Sequence, residues 1–303
     1  MNKKRRRFIA VDILLLIMTI LPIVAGIVLK VMFKPVSDGI EITGAYIFTT
    51  IHMPLQDLPI TESQINSWLV ILSIFFLCLY LTHGIKAKAE TKRQHIAEMI
   101  VEKTESLVST NMGQYFMGFA PFVAAIIGLS AFSSLLTLVG LFPPTSDLNI
   151  VAGWALLVFI LITYYKMKCG PLHYLKSFTE PVALLTPLNF VGEIATPVSM
   201  AFRHYGNILS GTVISVLVAA ALQGLSSMLL GWLPGVLGEI PFLQIGIPAV
   251  LSVYFDVFSG CLQAFIFAML TMLYIAGAFS PEEYKMRKER KKLKRKNKPV
   301  KQA

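Results

Sequence analysis

Charge is scarce in this sequence. Asp, Glu, Lys and Arg make up 15% of its residues, against about 25% in average soluble domains. Hydrophobic residues make up 55%, and mean hydropathy is +0.67. This excludes an ordinary soluble domain and predicts an all-α polytopic membrane protein, because helices satisfy their own backbone hydrogen bonds in lipid. Cysteine is also scarce. Cys78, Cys169 and Cys261 are far apart and form no CxxC, which excludes a disulfide framework and a cysteine metal site. The five histidines show no ligand spacing. There is no GxxxxGKS/T run, no GxGxxG after a strand and no HExxH. The sequence therefore predicts no cofactor, no metal and no catalysis by this chain alone.

The charge that is present is unevenly placed. Of 27 Lys and Arg residues, 24 fall in four groups. These are Lys3 to Arg7, Lys86 to Lys103, Lys166 to Lys176, and the tail from Lys285 to Lys301. Each group flanks an apolar segment, which argues for cytoplasmic membrane flanks and against nucleic-acid binding. Apolar runs at 8–33, 65–85, 116–142 and 150–167 are each near the length of a span, and two longer ones follow at 182–232 and 242–279. Loops after the second and fourth runs are basic. The others carry Asp38, Glu41, Asp57, Glu62, Asp147 and Glu239. Six crossings with both termini cytoplasmic place all four basic groups on one side.

The pattern predicts a signal-anchor helix over 1–35, a membrane domain over 36–280 and a basic cytoplasmic tail over 281–303. Ala87, Ala89, Ile96, Met99, Ile100 and Leu107 interleave with charges at helical spacing, as in an amphipathic helix on the cytoplasmic surface. Asp147 is placed to cap a helix. The 242–279 stretch would extend roughly 55 Å as a straight helix. It must therefore tilt, bend or emerge, as one of a long tilted C-terminal pair. Gly206, Gly211, Gly224, Gly231 and Pro234 are expected to break the first member of that pair, and Pro248 and Gly260 the second.

Arg203 is the only Lys or Arg between Lys176 and Lys285. A guanidinium keeps its proton in a protein, and burying it at a bilayer centre costs about 2.5–3.5 kcal/mol on insertion scales. Helical spacing puts Gly206, Asn207 and Ser210 on its face, with Gly211 alongside. The same spacing from Asp256 gives Ser259, Gly260 and Gln263, with Ser252 one turn before. Two antiparallel helices with these faces together would enclose a polar seam, the usual mark of an ion path. The competing readings are structural. Arg203 would form a fixed ion pair with Asp256 or Glu193, Asn207 and Gln263 would be interhelical glue, and Ser210 and Gly211 would serve packing. His204 points about 100° away from Arg203 and reads as a packing or interfacial residue.

Pro187-Leu-Asn, Glu193-Ile-Ala-Thr-Pro-Val-Ser199, Arg203-His-Tyr-Gly-Asn207 and Leu262-Gln-Ala-Phe-Ile-Phe-Ala-Met-Leu-Thr-Met-Leu-Tyr274 resemble subunit a of F-type ATP synthases. Pro144-Thr-Ser-Asp-Leu-Asn149 and Ile65-Asn-Ser-Trp-Leu69 match too, so the resemblance covers about residues 62 to 280. It implies a stator subunit with two aqueous half-channels serving carboxylates on a rotating ring of subunit c. Its partners would be that ring, the subunit b peripheral stalk and the rest of the complex, in a bacterial plasma membrane. Arg203 matches the essential arginine that separates the half-channels. Asn207 and Gln263 match its polar helpers. Asp256 matches an outer-channel position, and Glu193 resembles an inner-channel acid. The usual Leu-Phe after the arginine is His204-Tyr205 here, and a position often acidic or His is Thr212. The coupling ion, proton or sodium, stays open. The other function class is a secondary transporter whose midplane arginine binds an anionic substrate, but no internal repeat supports it.

Overall fold

The computed structural model describes residues 3–33, 44–54, 56–87, 91–171, 174–175, 178–179, 183–230 and 242–296. Asp38, Glu41, Lys88, Ala89, Lys176, Gly231, Pro234, Glu239 and the boundary at 35/36 lie outside the described residues, as does the tail from 297. Helix α1 spans Lys3–Phe33. A two-stranded antiparallel hairpin follows, β1 (Ile47–Ile51) and β2 (Leu58–Thr61). Then come α2 (Glu62–Thr82), α3 (Lys92–Met112), α4 (Ala120–Leu135) and α5 (Leu148–Cys169). Helix α6 runs Thr186–Leu230. Helices α7 (Phe242–Ser252) and α8 (Gly260–Gly277) are joined by a π-helical segment, Val253–Ser259, and α9 covers Pro281–Lys296.

Six helical segments are long and apolar enough to cross a membrane: Phe8–Phe33, Glu62–Thr82, Gln114–Val139, Leu148–Cys169, Thr186–Leu229 and Gly246–Gly277. They match the six apolar runs, and the chain is an all-α, multi-pass membrane protein. Ile96, Met99 and Ile100 of α3 are exposed apolar residues, whereas Val108 and Met112 turn inward. The amphipathic pattern of α3 is thus real, with one end packed on the core and an apolar stripe left outside the protein.

The core joins α4, α5 and α8 through Val123, Val158, Phe267 and Met272. Its contact rows are built from small residues: Ser130, Ser133 and Ser134 of α4, and Gly260, Ala264 and Ala268 of α8 are buried. Lipid provides no hydrophobic drive between helices, so close approach through small side chains supplies the packing.

The hairpin had no place in the sequence expectation. An isolated hairpin is marginal, and this one is anchored by the start of α2. Thr61 ends β2 and caps α2 through Gln64 in a capping box, while Glu62 N–H donates to the Tyr46 carbonyl at 2.7 Å. Asp147 caps α5 as expected, accepting from the Asn149 N–H at 3.0 Å, and Ser63 of α2 donates to the same carboxylate.

Helix α1 is fastened at both ends. Lys30 donates to the Gly140 carbonyl. At the other end Asp12 accepts from Arg93 at 2.7 Å and lies 2.9 Å from His83 Nδ1, with Phe8 stacked on the His83 ring. Hydrogen bonds to charged groups contribute about 1.5–3 kcal/mol. Arg93→Leu is expected to lower the thermal stability of the purified protein by that order. Adding Asp12→Leu should recover part of the loss, because the unpaired carboxylate goes with it. Unchanged melting of the single variant would exclude this clamp.

Candidate functional site: the α6–α8 seam

Helix α6 has 45 residues and contains Pro197. It runs unbroken through Gly206, Gly211 and Gly224, which corrects the expectation that these glycines interrupt it. A glycine in a helix costs about 1 kcal/mol relative to alanine. Breaking the helix in lipid would strand backbone groups at several kcal/mol each, so continuity wins. Its length far exceeds the roughly 30 Å hydrocarbon core, so α6 must tilt, curve or emerge. In the last stretch Pro248 lies inside α7, and the irregularity is the π segment that carries Asp256.

The two polar faces meet, but not as helical spacing alone placed them. Asn207 Nδ2 donates to Ser259 Oγ at 2.9 Å, and Ser259 Oγ lies 3.0 Å from Asn207 Oδ1. Ser210 Oγ donates to the Asn207 carbonyl at 3.0 Å and is otherwise exposed. A Cβ on Gly211 would lie 3.1 Å from Phe255, so this glycine lets α6 approach the π segment. Asp256 is half-buried and accepts from Ser252 Oγ. Beyond the π turn the row rotates. Gly260 packs on Ser134 of α4, and Gln263, 5% exposed, continues the buried row with Ala264 and Phe267. A π turn holds one more residue than an α turn, so the Asp256 side and the Gln263 side do not stay in line. No hydrogen bond among the described residues joins Gln263 to Arg203.

Arg203 is exposed, and among the described residues no carboxylate pairs with it. Beside it, a Cβ on Gly206 would meet nothing within 4 Å. The fixed-ion-pair reading therefore fails. Asp256 is held by Ser252. Glu193 is bound through both carboxylate oxygens to Lys166 Nζ at 2.6 Å, with the Tyr174 hydroxyl at 3.4 Å. Burial, then the neighbouring Glu193 charge, pushes the Tyr174 phenol above its ordinary pKa. Glu193 and Lys166 line a cavity of about 220 Å³ with Thr196, Leu273, Tyr274 and Gly277. This acid sits at the end of the molecule bearing the basic groups, away from Arg203.

His204 is the packing residue that its angle implies. It is fully buried, with Nε2 3.2 Å from Ser130 Oγ and its ring edge-on to Phe267 and Trp154. Near the middle of α6, just past Arg203, a cavity of about 430 Å³ is lined by Lys30, Thr137, Ser146, Tyr205, Leu209 and Thr212. The sequence reading left Lys30 unassigned. The packing of α1 against α2 and the hydrogen bond of Lys30 to the Gly140 carbonyl bring its ammonium there, and no local motif announces that.

The arrangement thus has a cation without an ion pair among the described residues on an open helix face, an amide–hydroxyl seam behind it, and a cavity on either side of it along the same helix. Residues 64–276 match the family model described as ATP synthase A chain. The chain belongs to the ATP synthase A chain family. It is 29% identical over 233 residues to ATP synthase subunit a of Geobacter sulfurreducens, covering 74% of this chain and 92% of that protein. It is 30% identical over 217 residues to ATP synthase subunit a 3 of Pelobacter propionicus, covering 70% of this chain and 85% of that protein. A third relative, 28% identical over 246 residues, is the sodium ion specific ATP synthase subunit a of Propionigenium modestum, with 75% and 76% covered. The ATP synthase A chain match begins within α2 and ends within α8. Helix α1, the hairpin and α9 lie outside it.

Proposed function

We propose that this chain is the stator ion-channel subunit of an F-type ATP synthase, not catalytic alone. It passes protons or sodium ions through two half-channels to and from carboxylates on a ring of subunit c. The observation that carries this reading is Arg203, an exposed cation with no counter-charge among the described residues, on a face kept open by Gly206. An arginine in that setting needs an anion from outside the chain. A passing ring carboxylate supplies one and leaves again, which a fixed internal partner could not do.

The two cavities serve as the access routes. The one at Thr212 and Tyr205 opens toward the outer side, and the one at Glu193, Lys166 and Thr196 toward the cytoplasm. Asp256, on its π turn, takes the ion on the outer route, since Thr212 cannot titrate there. Asn207, Ser210 and Gln263 keep the surroundings of Arg203 polar. Both termini are cytoplasmic, in a bacterial cell membrane, with the subunit b stalk and the remaining complex as further partners.

Ion conduction through the membrane sector, stripped of its catalytic head and reconstituted into vesicles, tests this path. A carboxylate that focuses cations changes entry rates by about tenfold or more. Asp256→Asn is therefore expected to slow passive conduction by at least about tenfold. Unchanged conduction would remove Asp256 from the route.

A further inference from the structure

Helix α9 carries much of the basic tail, yet it is docked rather than trailing. Arg287 sets its guanidinium directly against Gly170, whose φ is +139°, and a Cβ there would overlap the guanidinium. Tyr284 packs on Phe279 with ring centroids 5.5 Å apart. Between α9 and the end of α5 lies a cavity of about 320 Å³, lined by Lys168, Gly170, Pro171, Tyr284, Arg287 and Lys288, with Met167 at its edge. Three cations line it, and among the described residues no carboxylate does. Lys168 is held in place by aromatic rings, with Nζ 5.4 Å from the Tyr165 centroid and 5.5 Å from that of Tyr284. Its hydrogen bond to the Tyr115 hydroxyl is 3.4 Å long. An ammonium has three donors, so Lys168 is positioned but not saturated.

We propose that this pocket binds the phosphate of an anionic phospholipid headgroup. It sits at the last turn of a spanning helix, which is headgroup depth. Basic pockets at that depth on the cytoplasmic side suit anionic lipids, and a guanidinium grips phosphate with two parallel N–H donors. Exposed Tyr164 and Met167 on α5 offer an apolar wall for the acyl chain. A diffuse basic tail would attract any anionic surface. A guanidinium seated on a glycine instead fixes the geometry of one site.

The whole ATP synthase complex containing this chain is reconstituted in phosphatidylcholine vesicles with a trace of photoactivatable phosphatidylglycerol, and labelled peptides are mapped. Labelling is expected on α5 near Met167 and on α9 near Tyr284. At about fivefold per charge near the surface, Arg287→Gln with Lys288→Gln should cut it about 25-fold. Gly170→Ala keeps every charge but evicts the guanidinium, and should also cut it severalfold. Lys292→Gln with Lys294→Gln should leave it essentially unchanged. Equal labelling by a phosphatidylcholine probe, or equal loss in the Lys292/Lys294 variant, overturns the site. Complete competition by millimolar inorganic phosphate would make it a free-phosphate site, and labelling blocked by a neighbouring subunit would make it a protein interface. Either result also overturns the proposal. ATP-driven pumping in the same vesicles should persist in all variants, so the outcome is independent of the ion-path reading.

Discussion

Arg203→Ala is expected to abolish ATP-driven ion pumping while leaving the complex assembled. Arg203 makes no ion pair among the described residues and is exposed on α6. Its removal therefore costs the fold of this chain little. Its effect falls on the passing carboxylate. Two unit charges about 4 Å apart interact by roughly 4 kcal/mol at an effective dielectric of about 20. That is about three pKa units, so without the cation the ionised fraction of the ring carboxylate beside α6 drops by up to about a thousandfold. Pumping should fall below about 1% of the parent rate, and ions should leak directly between the half-channels. Arg203→Lys should restore part of the function, because a lysine keeps the charge but can shed its proton and lacks the planar fork. Pumping is read as ATP-dependent acidification, or sodium uptake, of vesicles. Full coupled pumping by Arg203→Ala would sink the proposed role.

The spans were legible because length and hydropathy are local quantities, and each of the six apolar runs became a helix near its expected limits. The lone Arg203 was legible for the same reason: a charge in an apolar stretch stands out without knowledge of the fold. What the sequence hid was relational. Val253-Tyr-Phe-Asp-Val-Phe-Ser259 reads as ordinary apolar helix, yet it forms the π segment that turns Gly260 toward α4 and leaves Ser259 facing Asn207. Glu193 could be read as an inner-channel acid, but its partner Lys166 lies on another helix, 27 positions away in sequence. Glycine signals were misleading in one direction. Gly206 and Gly211 looked like breaks, whereas in lipid the backbone stays helical and the glycines act as spacers, one facing open space and one facing Phe255.

That difference among glycines gives the second large effect. Gly260 has ordinary helical backbone angles, so alanine there meets no backbone strain. A Cβ at that position would lie 2.5 Å from Ser134 Cβ and 2.6 Å from its Oγ. Neither helix can yield easily, because Ser134 is 3% exposed and its hydroxyl donates to the Ser130 carbonyl at 3.2 Å. Overpacking of this kind costs about 1–3 kcal/mol, and it pushes α8 away from α4. The Asn207–Ser259 bond is at the edge of the same joint, so coupled pumping should fall along with melting temperature. Ser134→Gly in the Gly260→Ala background removes the clashing atoms and should recover most of the loss. A coupling energy of about 0.5–3 kcal/mol between the two positions is expected for residues in contact. Gly206→Val provides the opposite case. Nothing lies within 4 Å of a Cβ at that position, so the melting of the isolated chain should change little. If the open face abuts a rotating partner, the same substitution should nonetheless cripple pumping in the assembled complex. A loss of stability at Gly206 equal to that at Gly260, or none at either, would contradict this division between glycines that seat a helix and a glycine that clears a path.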